Sequence, residues 1–180
     1  MSNVIIADAF EVLPNTPTNR FDLILTDPPY NLSVGKIHEL HQHFLRISRG
    51  WVIVFCPPEN PWIHSADQYL FWVKPISTKN TTKSYGRFVE QIFVYESGLE
   101  DTRTWNADRH WSQRNNIFFD RVDDSKLHLF RKPPSLIETL VLNHTKQGDW
   151  VLDPFAGSGV VGEVCEQHNR NCCLYDIEGK

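Results

Sequence analysis

The sequence lacks several features that would assign a protein to a class at once. Lysine and arginine total 18 against 22 acidic residues, a net charge of -4, so a nucleic acid would have to meet local basic segments. The four cysteines, Cys56, Cys165, Cys172 and Cys173, show no C-x-x-C spacing, and neither a secretion signal nor an apolar run of membrane length occurs. We therefore expect reduced thiols, a cytoplasmic location and no membrane partner.

The chain does have 180 residues with 41% hydrophobic content, which predicts one domain with a sizeable core. Helical spacing occurs over 36–49, after Pro133 and from Val160 onward. Seven apolar or β-branched runs predict strands, at 4–7, 23–26, 51–55, 69–73, 91–95, 150–152 and 172–175. This pattern predicts a doubly wound α/β sheet with an antiparallel hairpin at 69–73 and 91–95, and we expect the first strand to be buried.

The tetrapeptide Asp27-Pro28-Pro29-Tyr30 stands where the apolar run 23–25 ends. Two consecutive prolines fix φ and remove two backbone donors, which leaves the Pro28 carbonyl without a helix or ladder partner. Asp27 adds a second acceptor and Tyr30 a flat ring, a combination that suits a planar base whose amino group is held by two acceptors. An ordinary loop with a capping aspartate is as compatible with the tetrapeptide alone.

A second motif follows the apolar run 150–152 and opens a helical pattern. Its residues are Asp153, Pro154, Phe155, Ala156, Gly157, Ser158 and Gly159. Glycines let a ligand approach the backbone, and the free amides at a helix N-terminus attract an anion such as an amino-acid carboxylate. The motif predicts a cradle for a small cofactor, although on its own a packing turn is the safer interpretation.

Together the two motifs resemble those of the DNA amino-methyltransferases that use S-adenosylmethionine, in the permuted beta class, where the catalytic tetrapeptide precedes the cofactor loop. The resemblance covers nearly the whole chain. It implies a seven-stranded, Rossmann-like methyltransferase fold, circularly permuted, with a small inserted target-recognition segment. Within the single domain 1–180, residues 1–98 would form the catalytic region, 99–125 the target-recognition segment and 126–180 the cofactor-binding region. Asp27, Pro28, Pro29 and Tyr30 would be catalytic.

The resemblance also implies a set of cofactor-binding residues. Asp8 would lie close to the cofactor adenine, although a helix cap explains it nearly as well. Asp176, with Glu178 as the alternative, would accept the ribose hydroxyls. Lys132 belongs to a His-x-x-x-Lys-Pro element beside the methionine end of the cofactor, or contacts a phosphate instead. The full set is Asp8, Ala9, Asp27, His128, Lys132, Pro133, Asp153, Phe155, Ala156, Gly157, Ser158, Gly159 and Asp176.

Two segments have the composition expected of DNA contacts. Residues 74–87 hold four cations and no acid, which suits phosphate contact, although a solvated loop is the default. Residues 99–125 mix Arg, Asn and Gln, which match base edges, with Trp, which stacks on bases; a surface loop with two anchoring tryptophans is the alternative. The predicted DNA-binding residues are Lys79, Lys83, Arg87, Arg103, Trp105, Arg109, Trp111, Arg114, Asn115 and Asn116.

Two further expectations concern metal and assembly. His38, His41 and His43 lie along the helix at 36–49, but only the first two have a workable spacing, so a solvated face is favoured over a metal site. The permuted chain lacks the helix of one crossover, which should leave apolar surface near one sheet edge. We expect a second subunit to cover it in a homodimer, with Cys172 or nearby residues at the contact.

The activity that the resemblance implies is site-specific methylation of a flipped adenine in double-stranded DNA, at its exocyclic amino group, in a bacterial or phage-infected cell. Adenine is preferred because the tetrapeptide begins with Asp rather than Ser. A cognate restriction endonuclease is a partner that the resemblance allows. N4-cytosine methylation, RNA adenine methylation and a catalytically silent DNA-binding subunit stay open.

Overall fold

The computed structural model describes residues 4–56, 62, 64–75, 88–98, 100–120 and 131–178. Within these residues the strands form one sheet in the order β1-β8-β7-β2-β3-β5-β4-β6. The strands are β1 Ile5–Ile6, β2 Phe21–Thr26, β3 Ser48–Cys56, β4 Gln68–Val73, β5 Val89–Glu96, β6 Ile117–Phe118, β7 Trp150–Asp153 and β8 Asn171–Asp176. The pairs β3–β5 and β5–β4 are antiparallel, and the other neighbours are parallel.

Helices cover both faces of this sheet. They are α1 Ala9–Asn15, α2 Val34–Ile47, α3 Pro134–His144 and α4 Val160–Gln167. The Ser33 hydroxyl caps α2 by accepting the Lys36 amide hydrogen, and Pro134 opens α3, where its missing N–H costs no helical hydrogen bond. Among the described residues, none of the helices is long and apolar enough to cross a membrane.

Alternation along the strands divides the core into two clusters. Leu23 and Leu25 of β2 belong to a cluster with α3 and α4, whereas Ile24 between them belongs to a cluster with α1 and α2. Successive side chains of a strand point to opposite faces, so a parallel strand buried on both faces reads as a continuous apolar run. This is why the run at 23–25 could be recognised in the sequence.

The predicted α/β sheet and its antiparallel hairpin are confirmed, with two corrections. The segment 99–125 contributes an eighth strand, β6, whose two residues are too few to show a period. The prediction of a buried first strand is wrong, because Ile5 is 50% and Ile6 69% exposed. β1 lies at the edge of the sheet and pairs with β8 alone, so apolar composition did not indicate burial there.

The histidines of α2 differ in their surroundings. His38 is exposed, as expected, and makes ring-nitrogen hydrogen bonds with Gln42 and His64. His41 stacks on His64 and packs against Trp62, and burial lowers its pKa to about 4. Within the described ranges, no group of three His, Cys, Asp or Glu side chains has the arrangement of a metal site.

Candidate active site

The carboxyl ends of β2, β3, β7 and β8 surround a cavity of about 440 Å³. Ligands bind at this edge in open parallel sheets because the loops there diverge to opposite faces. The lining comprises Leu25, Thr26, Asp27, Phe55, Arg131, Lys132, Ile137, Asp153, Phe155, Ala156, Gly157, Ser158, Val160, Val161, Asp176 and Glu178. The predicted catalytic carboxylate and the predicted cofactor loop therefore share one cavity.

The loop after β7 has the backbone of a ligand cradle. Gly157 and Gly159 have φ values of 43° and 74°, in the left-handed region that favours glycine, and Gly159 is the N-cap of α4. An added Cβ at Gly157 would meet only the Phe155 carbonyl oxygen, at 3.9 Å, so the space in front of the loop is open. This geometry fits a small ligand held close to the backbone.

Asp176 lies across from this loop at the end of β8. Its Oδ2 accepts the Gly157 amide hydrogen at 2.7 Å, and its Oδ1 accepts that of Glu178 at 2.9 Å. Both Asp176 and Glu178 line the cavity, so either carboxylate can contact a ligand that binds there. The assignment of Asp176 to the ribose stays a prediction.

Asp153 has a different role from the residues that follow it. Its side chain is buried, with Oδ1 accepting the Thr26 hydroxyl at 2.8 Å and the Phe155 amide at 3.1 Å. Burial raises the pKa of Asp153 to about 7, and these hydrogen bonds oppose the rise. Asp153 thus ties β7 to β2 at the wall of the cavity.

Asp8 caps a helix. Its Oδ1 accepts the Phe10 amide hydrogen at 2.9 Å at the start of α1, and Ala9 is buried in the core. Neither residue is part of the lining described above, although the Phe10 ring meets Phe155 of the loop with ring centroids 6.5 Å apart. A contact between Asp8 and a cofactor remains a prediction.

The carboxylate of Asp27 makes an ion pair that the sequence did not indicate. Its Oδ2 lies 2.8 Å from Lys132 Nζ and accepts the Tyr30 hydroxyl at 3.4 Å. Its Oδ1 is buried and has no hydrogen-bond partner among the described residues. Burial raises the pKa of Asp27, and the Lys132 cation acts against this rise. One carboxylate oxygen is held in place while the other remains an unused acceptor.

Lys132 also connects Asp27 to two residues of the hairpin. Its ammonium group donates to Glu90 Oε1, and Glu90 Oε2 lies 2.7 Å from Lys74 Nζ. Burial alone would lower the pKa of Lys132, but Asp27 and Glu90 raise it above its usual value. Because Lys132 is 8% exposed and bonded to acids, the alternative of a phosphate contact is not supported.

Sequence reasoning missed Glu90, Lys74 and Arg131. Glu90 alternates with Ile92 and Val94 along β5, so it lies on the buried face of a strand, and an acid at such a position is a usable signal. Lys74 was grouped with the cations of 74–87, but its side chain is only 12% exposed. Arg131 lines the cavity, and its guanidinium pairs with both oxygens of Glu163.

The described part of the predicted target-recognition segment, residues 100–120, is anchored by some of the residues predicted to bind DNA. Arg103 pairs with Glu96 at 2.8 Å, and Trp105 packs against Trp51 and His144. Arg109 is half-buried. Trp111, Arg114, Asn115 and Asn116 are exposed. Lys79, Lys83, Arg87 and His128 lie outside the described residues, and Pro133 is the N-cap of α3.

Comparison with known proteins agrees with this arrangement. A family model of DNA methylases matches residues 67–180. The type II methyltransferase M.HpaI of Haemophilus parainfluenzae is 27% identical to this chain, and the alignment covers 97% of this chain and 69% of M.HpaI. The crystal structure of the M1.HpyAVI–SAM complex has a TM-score of 0.76 at 23% identity, covering 99% of this chain and 94% of that one. The cytosine-N4-specific PvuII DNA methyltransferase has a TM-score of 0.74 at 16% identity, covering 99% and 83%.

The solved structures share the fold at low identity, and the family model covers more than half of the chain, including β4, β5, α3, α4 and the cofactor loop. The predicted catalytic tetrapeptide lies before the matched range, and its Asp27 lines the same cavity at the end of β2. The chain belongs to the DNA methylase family.

Proposed function

We propose that the protein transfers a methyl group from S-adenosylmethionine to the exocyclic amino group of a base in DNA, and that the base is adenine. The observation that carries the proposal is Asp27 Oδ1, a buried acceptor without a hydrogen-bond partner in the described portion of the chain, beside an open glycine loop. A buried unpaired carboxylate oxygen is costly, so it is suited to accept an N–H group that enters the cavity.

The residues that would hold the cofactor are those of the loop and the end of β8. The Gly157 backbone leaves room for close approach, and Asp176 offers a carboxylate at the cavity wall. When bound, S-adenosylmethionine supplies a sulfonium methyl group, whose bond to sulfur breaks as the amino nitrogen bonds to it and one amino proton is released.

The chain's own contribution is to receive and orient the base. A base must leave the duplex stack at a cost of a few kcal/mol, and Tyr30, 45% exposed beside Asp27, offers a ring on which it can stack. Asp27 Oδ1 and, by prediction, the Pro28 carbonyl accept the two amino hydrogens. Holding the nitrogen in line with the methyl group removes much of the entropic part of the barrier.

Adenine is preferred over cytosine because the tetrapeptide begins with Asp27, as in the adenine enzymes that the chain resembles. Both bases carry an amino group that a carboxylate can accept, and the fold is shared with the cytosine-N4-specific PvuII enzyme, so N4-cytosine is the second candidate. A homodimer and a restriction partner stay predictions.

The test is to incubate DNA and, separately, RNA with labelled cofactor and to identify the modified nucleosides by mass spectrometry. N6-methyladenine in DNA is the expected product. N4-methylcytosine would correct the base, and methylation confined to RNA would correct the substrate. No methylation of either nucleic acid, while the protein still binds DNA, would indicate a silent DNA-binding subunit.

A further inference from the structure

A buried row of alternating charges, formed by Lys74, Glu90, Lys132 and Asp27, leads from the hairpin to the predicted catalytic carboxylate. Lys74 Nζ lies 2.7 Å from Glu90 Oε2, Glu90 Oε1 accepts from Lys132 Nζ, and Lys132 Nζ lies 2.8 Å from Asp27 Oδ2. Glu90 is 3% and Lys132 8% exposed. The two cations and two anions balance, which is the condition under which buried charges are tolerated.

In the two central residues of this row, Lys132 and Glu90, every polar side-chain atom already has a partner. An ammonium group has three donors, and Lys132 directs them to Asp27, Glu90 and the Tyr30 hydroxyl, the last at 3.3 Å. The two oxygens of Glu90 are taken by Lys132 and Lys74. Neither residue can bind a substrate group without giving up one of these bonds.

Aromatic side chains hold the Lys132 ammonium group in place and limit its contact with water. Lys132 Nζ lies 5.0 Å from the Phe55 ring centroid and 5.7 Å from that of Trp72, while Lys74 Nζ lies 4.6 Å from the Trp72 ring. Such contacts are favourable for a cation, and the low dielectric around them makes any change in charge balance costly.

We propose that Glu90 is a positioning residue, which holds the Lys132 ammonium group on Oδ2 of Asp27 so that Oδ1 alone faces the amino group of the base. Lys74 balances the charge of Glu90. This inference rests on the proposed function, because it assigns the geometry of the same carboxylate. It predicts that the charge of Glu90, and not merely its volume, sets the activity of Asp27.

The titratable groups around this row of charges come from several elements. Besides Asp27 and Tyr30 after β2, the Cys56 thiol of β3 and Asp153 of β7 interact electrostatically with Asp27. Although burial alone would raise it, the two lysines hold the pKa of Glu90 below its usual value. If Glu90 lost its charge, two cations would share the single anion Asp27, and the pKa of Lys132 would fall.

The decisive variant is Glu90→Gln, which keeps the size of the side chain and one acceptor but removes the charge. We expect kcat to fall about tenfold or more, with KM for cofactor and DNA within about threefold of wild type, because positioning acts on the transition state. We also expect the activity of the variant to decline at a lower alkaline pH than that of wild type, because Lys132 loses one of the two anions that raise its pKa.

A charge-balance test separates this role from a structural one. Lys74→Met removes the cation at the far end of the row of charges. The double variant Glu90→Gln with Lys74→Met therefore restores a neutral Lys132–Asp27 pair. We expect the double variant to regain most of the lost kcat and the wild-type alkaline profile, a non-additive result. Glu138→Gln, at a surface carboxylate paired with His168, is the matched control and should behave as wild type.

Wild-type kcat and pH profile in Glu90→Gln would overturn the proposal. A loss of activity with an unchanged pH profile and no recovery in the double variant would overturn it as well. If the wild-type protein methylates no nucleic acid, the proposed function fails, and NMR titration of ¹³Cε-labelled lysines then decides the inference separately. A lower Lys132 pKa in Glu90→Gln than in wild type, with the resonance assigned through Lys132→Met, supports it; an equal pKa overturns it.

Discussion

Loss of the Asp27 carboxylate should sharply reduce methyl transfer without affecting cofactor binding. Asp27→Ala removes the acceptor for the amino group but leaves the glycine loop and Asp176 untouched. We expect cofactor affinity close to wild type and a fall in turnover of about 100-fold or more, the size found when one oriented group at a reacting centre is removed. Isothermal titration with S-adenosylmethionine and single-turnover methylation measure the two quantities.

Asp27→Asn is the matched control for shape, because it keeps an oxygen but turns a partner of Lys132 into a neutral amide. It should retain the fold and lose turnover to a similar degree, since the Lys132 cation would then lack one of its two anions. Turnover like that of wild type in either variant would refute the assignment of Asp27.

Asp153 makes stability depend on pH in a direction opposite to that of most carboxylates. Its pKa is raised to about 7 in the folded protein, so the folded state binds the proton more tightly than the unfolded chain, where the pKa is about 3.9. The free energy of unfolding should therefore decrease as pH rises from about 4 to about 7, by up to about 4 kcal/mol, and level off above that.

Asp153→Asn removes this contribution while keeping an acceptor for Thr26. Relative to wild type, the variant should gain stability between about pH 5 and pH 8, as measured by urea unfolding at each pH. The exposed Asp108→Asn serves as a control, with a curve that follows wild type. Parallel curves for wild type and Asp153→Asn would contradict the assignment.

The sequence could predict residues that carry a motif but not their partners. Asp27 and Gly157 belong to local motifs whose backbone properties can be recognised from the sequence alone. The pairing of Lys132 with Glu90 joins residues separated by 42 positions, and the pairing of β4 with β5 places Lys74 beside Glu90. Glu90 and Lys74 were missed for this reason.

At the scale of elements, the described residues 100–120 of the segment 99–125 are divided between anchoring and exposed residues. The Asn106 side chain donates to the Leu142 and Thr145 carbonyl oxygens, which lie at the C-terminal end of α3 and lack helical partners. Arg103 pairs with Glu96 of β5 and lies over the Trp51 ring, 5.7 Å from its centroid. These contacts hold the segment against the core.

Arg103, which is anchored, and Arg114, which is exposed, should therefore respond differently to the same change. Arg114→Ala, at an exposed position, should leave stability unchanged and relax specificity at one base pair, costing about 1 to 3 kcal/mol on the true target if the side chain reads guanine. Arg103→Ala should lower the melting temperature without changing the methylated motif. Sequencing of methylated genomic DNA and thermal unfolding measure the two effects; an unchanged motif in Arg114→Ala would move recognition elsewhere.

Elements were predictable where burial on both faces left an uninterrupted apolar run, as in β2 and β3. The two-residue strand β6 gave no such signal. β6 was missed because pairing with β4, and not its own composition, makes Ile117–Phe118 a strand. β1 was found, but its exposure was not, because an edge position depends on the order of strands in the whole sheet.

At the scale of the whole molecule, the two outer strands, β1 and β6, consist of two residues each. Short edge strands reduce uncontrolled pairing between sheets, but apolar side chains at an edge favour a specific contact. Ile5, Ile6 and Ile177 are 50%, 69% and 70% exposed at the β1 edge. Cys172, expected at the contact, instead packs against the core cluster near Cys165. The predicted dimer contact therefore belongs at β1 and Ile177.

A dimer through this edge should appear in analytical ultracentrifugation at tens of micromolar protein. Ile6→Lys places a charge in the centre of the apolar edge, where desolvation would oppose association, so we expect this variant to sediment as a monomer with its fold intact. Leu45→Lys, at a partly exposed apolar position of α2 on another surface, is the matched control and should remain dimeric. A monomeric wild-type protein at this concentration would contradict the prediction, because the three exposed isoleucines at the β1 edge would then remain in contact with solvent.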